Sequence, residues 1–294
     1  MTEPSMEASV ARLCFPRGVP GGVITNGGSE SDLLGLLLAK KDAAGAAVQV
    51  VCARSARPSI ARAAEQLGMP APIVLESVGQ IPATLGGLTT ASVVVISAGT
   101  TGAGAIDPLR EIGRLCRLRG AWLHVDAADG GAALFSARLR PLLDGLELAD
   151  SVTVELPELG ASTGLLAVRD VGSLTGVRMI AHPEVAAVFR TCRSSIGPSA
   201  ERRCEIAAEI AAEVRARPGL RLWQQPALAT VLFRPESATG DAVAGLVRDG
   251  LELATVDDQN WLRIAVAGRR VLADYLRLLA VDTVRVVGRT PNDR

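Results

Sequence analysis

Short runs of aliphatic residues alternate with amphipathic segments over most of residues 30–170. Aliphatic runs bounded by Gly, Pro and polar residues are typical of buried strands, and the segments between them have helical spacing. The alternation predicts an α/β fold in which a parallel-rich sheet is flanked by crossover helices. The predicted strands are Ala47–Cys52, Pro72–Leu75, Ser92–Ser97, Ala121–Val125, Asp150–Val154 and Gly164–Val168, and the predicted helices are Ser31–Ala44, Pro58–Leu67 and Pro108–Arg119.

The pattern changes near residue 199. A long predicted helix, Ser199–Arg217, carries Ile206, Ile210 and Val214 at i, i+4 and i+8, which places them on one buried face. We therefore predict three regions: a short N-terminal arm (1–20), a large domain (21–198) and a small C-terminal α+β domain (199–294). The other elements predicted for the small domain are strands Leu220–Gln224, Leu228–Phe233 and Trp261–Val266 and helices Asp241–Gly250 and Val271–Leu279.

Composition excludes several classes of function. Hydrophobic residues make up 48% of the 294 residues and aromatic residues only 3%, so the core is expected to consist of Ala, Leu, Val and Ile. The 31 basic and 31 acidic residues balance without a concentrated basic run. This argues against nucleic-acid binding, which draws on dense positive charge, and is compatible with self-association. The Ala/Arg/Gly-rich composition suggests a bacterial genome rich in GC and would suit a specialised metabolic cluster.

The residues that commonly bind metals or form disulfides are sparse. Five scattered cysteines without a CxxC pair suggest buried thiols in a reducing cytosol, and two histidines make a His-based metal site improbable. The longest apolar stretch, Leu33–Ala39, is far below the ~20 residues that cross a bilayer. Met1–Pro16 has no apolar signal core. We expect a cytoplasmic protein without metal or membrane partners.

Three segments carry candidate chemistry. In Gly22–Ser31 a glycine pair precedes Ser29, so that backbone N–H groups can approach an anion at a helix N-terminus. The alternative is that Ser29 only caps the helix. The second segment is Ser97–Thr101, followed by Gly104–Pro108. The third, Trp122–Gly131, places Asp126 at the end of a buried strand, where the alternative is an Asp that caps a turn.

Together these segments resemble the group II decarboxylases that depend on pyridoxal phosphate (PLP), the family of aromatic amino acid, glutamate and diaminobutyrate decarboxylases. The resemblance implies a PLP-dependent transferase fold of type I and a dimer with the site at its interface. It also implies that Gly28 and Ser29 hold the cofactor phosphate and that Thr100 reaches the cofactor. Asp126 would bond the pyridine nitrogen, with Ala128 under the ring.

The chain departs from this family where the family has Asp-Pro-His-Lys-Trp. Here the residues are Glu155–Leu159, so that Glu158 or Glu155 replaces the lysine, depending on the direction of counting. The only lysines are Lys40 and Lys41, and roughly 16 Å of helix separates Ser29 from Lys40. PLP enzymes hold their cofactor as a Schiff base to a lysine amine.

A second departure concerns the histidine that stacks on the cofactor ring in the family. Arg57 stands at that position, and an arginine can stack on a ring or bind an anion but cannot relay protons near neutral pH. The alternative is a solvated surface side chain. The family's long N-terminal portion is reduced to residues 1–20, and the stretch after Arg169 is shortened.

These losses predict that ordinary amino acid decarboxylation is absent. The leading hypothesis is a degenerate decarboxylase, or pseudoenzyme, that forms a homodimer or a heterodimer with a related decarboxylase. The alternative is a repurposed carboxy-lyase relative in which Glu158 or Glu155, with His124, performs lysine-independent acid–base chemistry on a small amine or amino-acid-derived ligand. A solvated turn is the third interpretation of the two glutamates. No covalent cofactor is expected, and non-covalent PLP or pyridoxamine phosphate is left open.

Overall fold

The computed structural model describes residues 4–159, 163–177, 182–236, 243, 251–256 and 258–266. The chain divides into two compact units. The first comprises Met1–Thr101 with Ile106–Pro198, and the second comprises Gly102–Ala105 with Ser199–Arg294. The predicted domain boundaries stay predictions.

The first unit is built on a seven-stranded sheet with the order β1-β7-β6-β5-β4-β2-β3. Strands β6, β5, β4, β2 and β3 pair in parallel, whereas β7 is antiparallel to both of its neighbours, β1 and β6. The α/β fold with a parallel-rich sheet is therefore confirmed. The strands are β1 (Gly21–Thr25), β2 (Val48–Ala53), β3 (Ile73–Leu75), β4 (Ala91–Ser97), β5 (Trp122–Ala127), β6 (Ser151–Glu155) and β7 (Gly164–Val168).

Helices cover this sheet because the strands are buried on both faces, as their continuous aliphatic runs require. One core cluster joins Leu36 and Ile60 of the helices to Val50 and Val93 of the strands. The α-helices described wholly within this unit are α1 (Met6–Cys14), α2 (Gly28–Asp42), α3 (Pro58–Gln66), α4 (Ile81–Gly87) and α5 (Leu109–Arg119).

The second unit contains a four-stranded antiparallel sheet with the order β10-β11-β9-β8. The predicted stripe of Ile206, Ile210 and Val214 is fully buried and packs with Phe233 and Leu262. The strands are β8 (Leu220–Leu222), β9 (Thr230–Pro235), β10 (Glu252–Val256) and β11 (Gln259–Ala265). The predicted helices Asp241–Gly250 and Val271–Leu279 lie outside the described residues, apart from Val243.

The predicted start of the long helix is wrong. Helix α6 runs through 34 residues, Pro183–Ala216, with Pro198 inside it. Buried Phe189 and Ile196 lie in its first half, which belongs to the first unit, and the Phe189 ring packs edge-on against Phe135. A Gly197-Pro198 pair usually interrupts a helix, but a proline removes only one backbone hydrogen bond, and this packing outweighs the loss.

Two α-helices and two strands of the described residues have no counterpart in the sequence-based prediction: α1, α4, β1 and β10. Helix α1 lies within the predicted arm, where Met6, Val10 and Cys14 are buried, and it packs on β1 and β7. Among the described helices, none combines the length and apolar character that crossing a bilayer requires.

Candidate functional site

The candidate residues meet at one edge of the seven-stranded sheet. Strand β1 runs in the same direction as β6 because both are antiparallel to β7. The carboxyl ends of β1, β6, β5, β4 and β2 therefore share one edge, where ligands bind in open α/β sheets. The segments that follow or end these strands carry Gly28, Glu155, Asp126, Thr100 and Arg57.

Helix α2 begins at this edge without a capping side chain of its own. Its N-cap is Gly27, whose φ of 109° lies in the region that favours glycine. The Gly28 N–H donates a short hydrogen bond to Glu155 Oε1, so the carboxylate comes from β6, which is distant in sequence. Ser29 is exposed and is not the N-cap, so its interpretation as a simple cap is wrong.

Residues 26–28, from the end of β1 to the start of α2, form the glycine loop. Close packing of β7 on this loop brings Glu155 to its position. Glu155 pairs with Gly164 across the β6–β7 ladder. A Cβ at Gly164 would lie 2.6 Å from Thr25 Oγ1 and 2.7 Å from Gly27 O, so only glycine lets the loop pass this closely. The end of β6 is thereby held against the start of α2.

Arg57 lies between the glycine loop and Asp126. It is the N-cap of α3, with Pro58 as the first helical residue. Its Nη1 lies 3.7 Å from Asp126 Oδ1, and 21% of its side chain is exposed, so its interpretation as a solvated surface residue is wrong. Burial acts to lower the pKa of Arg57, but the carboxylates of Asp126, Asp32 and Glu155 outweigh it and raise that pKa.

Asp126 is 3% exposed at the end of β5. Its Oδ1 accepts a hydrogen bond from the Ala128 N–H at 3.1 Å. Burial and, secondly, the negative charge of Asp32 raise the pKa of Asp126 to about 7, against the opposing effect of Arg57. The carboxyl group is therefore balanced between its neutral and charged forms near neutral pH.

A buried polar network contains Asp32 of α2. Its Oδ1 accepts a hydrogen bond from Thr153 Oγ1 at 2.8 Å and lies 3.3 Å from His124 Nε2. Its Oδ2 accepts from Ser59 Oγ at 2.7 Å. Burial acts to raise the pKa of Asp32, but the hydrogen bonds from His124, Ser59 and Thr153 lower it. This carboxylate stays ionised while Asp126 titrates.

His124 is fully buried and belongs to this network rather than to the exposed edge. Its Nδ1 lies 2.8 Å from Ser151 Oγ, which also accepts a hydrogen bond from Trp122 Nε1. The Ser151 hydroxyl can then donate to Nδ1, which leaves a proton on Nε2 facing Asp32. The predicted acid–base role of His124 stays a prediction.

The two glutamates face different surroundings. Glu158 lies in a short 3₁₀ turn, Pro157–Leu159, and its charge contributes, after burial, to raising the pKa of the Cys192 thiol. Glu155 alone is hydrogen-bonded to Gly28. Thr100 and Ala128 are buried near the strand ends, whereas Asp129 is exposed. No group of side chains that could hold a metal ion occurs in the described part of the chain.

A family model described as "Pyridoxal-dependent decarboxylase conserved domain" matches residues 83–178. An L-2,4-diaminobutyrate decarboxylase of Rhizobium meliloti is 31% identical over 297 residues, which span 84% of this chain and 59% of that protein. The chain belongs to the pyridoxal-dependent decarboxylase family. The enzyme of the same name from Acinetobacter baumannii is 34% identical over 170 residues, 46% of this chain and 33% of that protein. The chain thus spans less than two thirds of either relative.

Solved structures of similar proteins support the fold. The glutamate decarboxylase domain of a Vibrio parahaemolyticus diaminobutyrate-pyruvate transaminase and L-2,4-diaminobutyrate decarboxylase superposes with a TM-score of 0.80 at 24% identity. The match covers 96% of this chain and 72% of that one. Oryza sativa TDC, solved with PLP and tryptamine, gives a TM-score of 0.81 at 20% identity and covers 95% and 74% of the two chains.

The lysines of this family member lie at the opposite end of α2. Lys40 Nζ donates to Leu67 O at 2.6 Å, and Lys41 Nζ donates a short hydrogen bond to Thr175 O. The 12 residue steps from Gly28 to Lys40 correspond to roughly 18 Å of helix. Both amines are thus far from the sheet edge that carries Asp126.

The residues at the start of α2 do not fit PLP as they stand. A phosphate at a helix N-terminus needs free backbone N–H groups. The Gly28 N–H is instead bonded to the Glu155 carboxylate, whose charge would repel a phosphate. Asp126 lies near the end of strand β5, before Ala128. The roles of Gly28, Ser29, Thr100, Asp126, Ala128 and Arg57 in holding a cofactor stay predictions.

Proposed function

We propose that this member of the pyridoxal-dependent decarboxylase family does not decarboxylate amino acids by lysine chemistry and acts instead by binding a partner. The partner is a second copy of the chain or a related decarboxylase. One observation carries the proposal: the carboxylate of Glu155 is bonded at the start of α2, and both lysine amines are bonded at its other end.

The chemistry of the site supports the first half of this proposal. A carboxylate is not a nucleophilic amine, so neither Glu155 nor Glu158 can form the covalent link that a lysine forms with PLP. Arg57, which stays protonated beside three carboxylates, cannot shuttle protons. We therefore propose that the chain holds no cofactor covalently.

The partner-binding half rests on the family resemblance, which implies a dimer with its site between subunits, and on a net charge of zero, which weakens repulsion between copies. Glu155 and Asp129, joined by Asp126 when it is ionised, outnumber Arg57 among the charged side chains near the edge. This balance favours a small amine or an amino-acid-derived ligand over an anion. We also propose a cytoplasmic location.

A reduction experiment tests the absence of lysine chemistry. The protein is incubated with PLP, treated with borohydride and analysed by mass spectrometry, and carbon dioxide release from 2,4-diaminobutyrate is measured in parallel. We expect neither a stoichiometric phosphopyridoxyl adduct nor carbon dioxide above background. A Lys40→Arg, Lys41→Arg double variant identifies adducts formed by the exposed amines, and adduct formation together with turnover in the wild type would refute the proposal.

Two lysine variants and a size measurement complete the test. Glu155→Lys and Glu158→Lys place an amine at each candidate position, and the one that gains a borohydride-reducible adduct identifies the position of the lost lysine. Light scattering coupled to gel filtration should give a mass above that of one chain, or a complex with a co-purified decarboxylase. A strict monomer with no such relative would contradict the partner-binding half.

A further inference from the structure

We infer that Glu155 is an internal anion that occupies the N-terminus of α2, so that this chain excludes phosphate and phosphate esters from the glycine loop. The inference rests on the proposed function only for the view that no lysine holds the cofactor. The inference goes beyond that function by naming the residue, Glu155, whose negative charge decides which ligands bind at this edge of the sheet. The loop is an anion site already filled by the chain itself.

The contact between Glu155 and the loop is direct. A Cβ at Gly28 would lie 2.8 Å from Glu155 Oε1 and 3.2 Å from its carboxyl carbon, so the carboxylate rests on bare backbone. Its oxygen accepts the Gly28 N–H, the first donor of the helix. Negative charge is favoured at a helix N-terminus, and here one residue supplies both the charge and the acceptor.

Glu155 is held there by the sheet rather than by a loose turn. It is the last residue of β6 and pairs with Gly164, which lies against Gly27. Because strand pairing already fixes the backbone of Glu155, its side chain loses little conformational entropy when it binds the nearby Gly28 N–H. The effective concentration of the carboxylate at that donor is therefore high. A dissolved phosphate has to compete with this intramolecular contact.

A second carboxylate, that of Glu30, binds the donors of Asn26 at the other end of the loop. Glu30 Oε2 accepts hydrogen bonds from the Asn26 backbone N–H at 2.6 Å and from Asn26 Nδ2 at 2.8 Å. Both sides of the glycine pair therefore face a carboxylate. An incoming phosphate would meet like charge at each, and it could not use these N–H groups without breaking existing bonds.

Arg57 would help the loop to bind an anion once the Glu155 carboxylate is removed. Its Nη1 is buried and has no hydrogen-bond partner among the described residues. The same atom lies against Gly28, close to where a Cβ would be. Loss of the Glu155 carboxylate would leave the Gly28 N–H and this guanidinium facing the same space, a combination that suits phosphate.

The test compares binding of inorganic phosphate and of PLP by wild type, Glu155→Ala and Glu155→Gln, measured by titration calorimetry and, for PLP, by absorbance. Glu158→Ala is the matched control because it removes a nearby glutamate that does not contact Gly28. We expect no saturable binding by wild type or control at millimolar ligand. The Glu155 variants should bind at least about tenfold more tightly, with an affinity that falls as salt rises.

Adding Arg57→Ala to Glu155→Ala should abolish the gain. Circular dichroism establishes that each variant is folded, and Glu155→Gln, nearly isosteric, decides the test if Glu155→Ala unfolds. Wild type that binds phosphate as tightly as the variants, or folded variants that bind none, would overturn the inference. The proposed function has a separate test, and it fails through a lysine adduct with turnover.

Discussion

Replacement of Asp126 by asparagine tests the electrostatics of the site. Burial raises the pKa of Asp126 from 3.8 to about 7 in the folded chain. The side chain is only 3% exposed, so water screens little of this effect. In the unfolded chain the carboxyl group ionises near its ordinary pKa. Between about pH 4 and pH 7 the folded state therefore keeps a proton that the unfolded state has released.

The sign and the size follow from this difference in bound protons. Stability falls as pH rises wherever the folded state binds more protons, by about 1.4 kcal/mol per pH unit for one proton. The contribution is fully present below the unfolded pKa and is lost as pH rises through the folded pKa. Between pH 5 and pH 7, the unfolding free energy of wild type should fall by about 2 kcal/mol relative to Asp126→Asn.

The assay is urea unfolding followed by circular dichroism at pH 5, 6 and 7 and constant ionic strength. The informative quantity is the change with pH in the difference between wild type and variant, because a constant offset also contains lost contacts. Asp144→Asn is the control: Asp144 is paired with Arg110, which lowers its pKa, so it is ionised in both states throughout this range. Parallel stability profiles for wild type and Asp126→Asn would refute the assigned pKa.

Three further predictions concern packing. Gly35→Ala places a Cβ 2.5 Å from Nδ1 of the fully buried His124, so thermal or urea unfolding should show a loss of about 1–2 kcal/mol. Gly86→Ala, at a helical glycine where the new Cβ would meet only Arg119 Nη2 at 3.8 Å, should gain about 0.5–1 kcal/mol. Gly164→Ala crowds the backbone of Gly27 and should cost about 1–3 kcal/mol by the same measurement; unchanged stability would contradict this contact. A thiol reagent should label Cys192 and Cys204, which are partly exposed, in the native protein. Cys14, Cys52 and Cys116 should be labelled only after unfolding, because burial raises the pKa of these thiols to about 12, about 11 and about 12.

The regular part of the fold is readable in the sequence because strand and helix periods are local properties. Strands β2, β4 and β6 begin and end within one residue of their predicted limits. Helix α1 was missed although its signals are present: Ser5 caps it by accepting the Ala8 N–H, and Met6, Val10 and Cys14 form a buried stripe. Helix α6 shows where local signals fail: Gly197-Pro198 predicts a helix end, but tertiary packing stabilises a helix that continues past Pro198.

The site was only partly predictable for a different reason. Asp126 and the glycine loop have local signatures, whereas Asp32 meets Thr153 across 121 positions of sequence. Polar residues at alternate positions of buried β6, Ser151 and Thr153, were the available signal for that network. Counting along the sequence could not choose between the two glutamates, since the choice depends on the register of β6 against β7.

The bond between Glu155 and the Gly28 N–H has a consequence for how the protein is made in the cell. Where the N–H groups of such a loop bind the phosphate of a coenzyme, they lack an acceptor until the coenzyme is supplied. Here the chain brings its own counter-ion. On the inference that Glu155 keeps PLP out of this loop, chains folded with and without vitamin B6 should share the same start of α2.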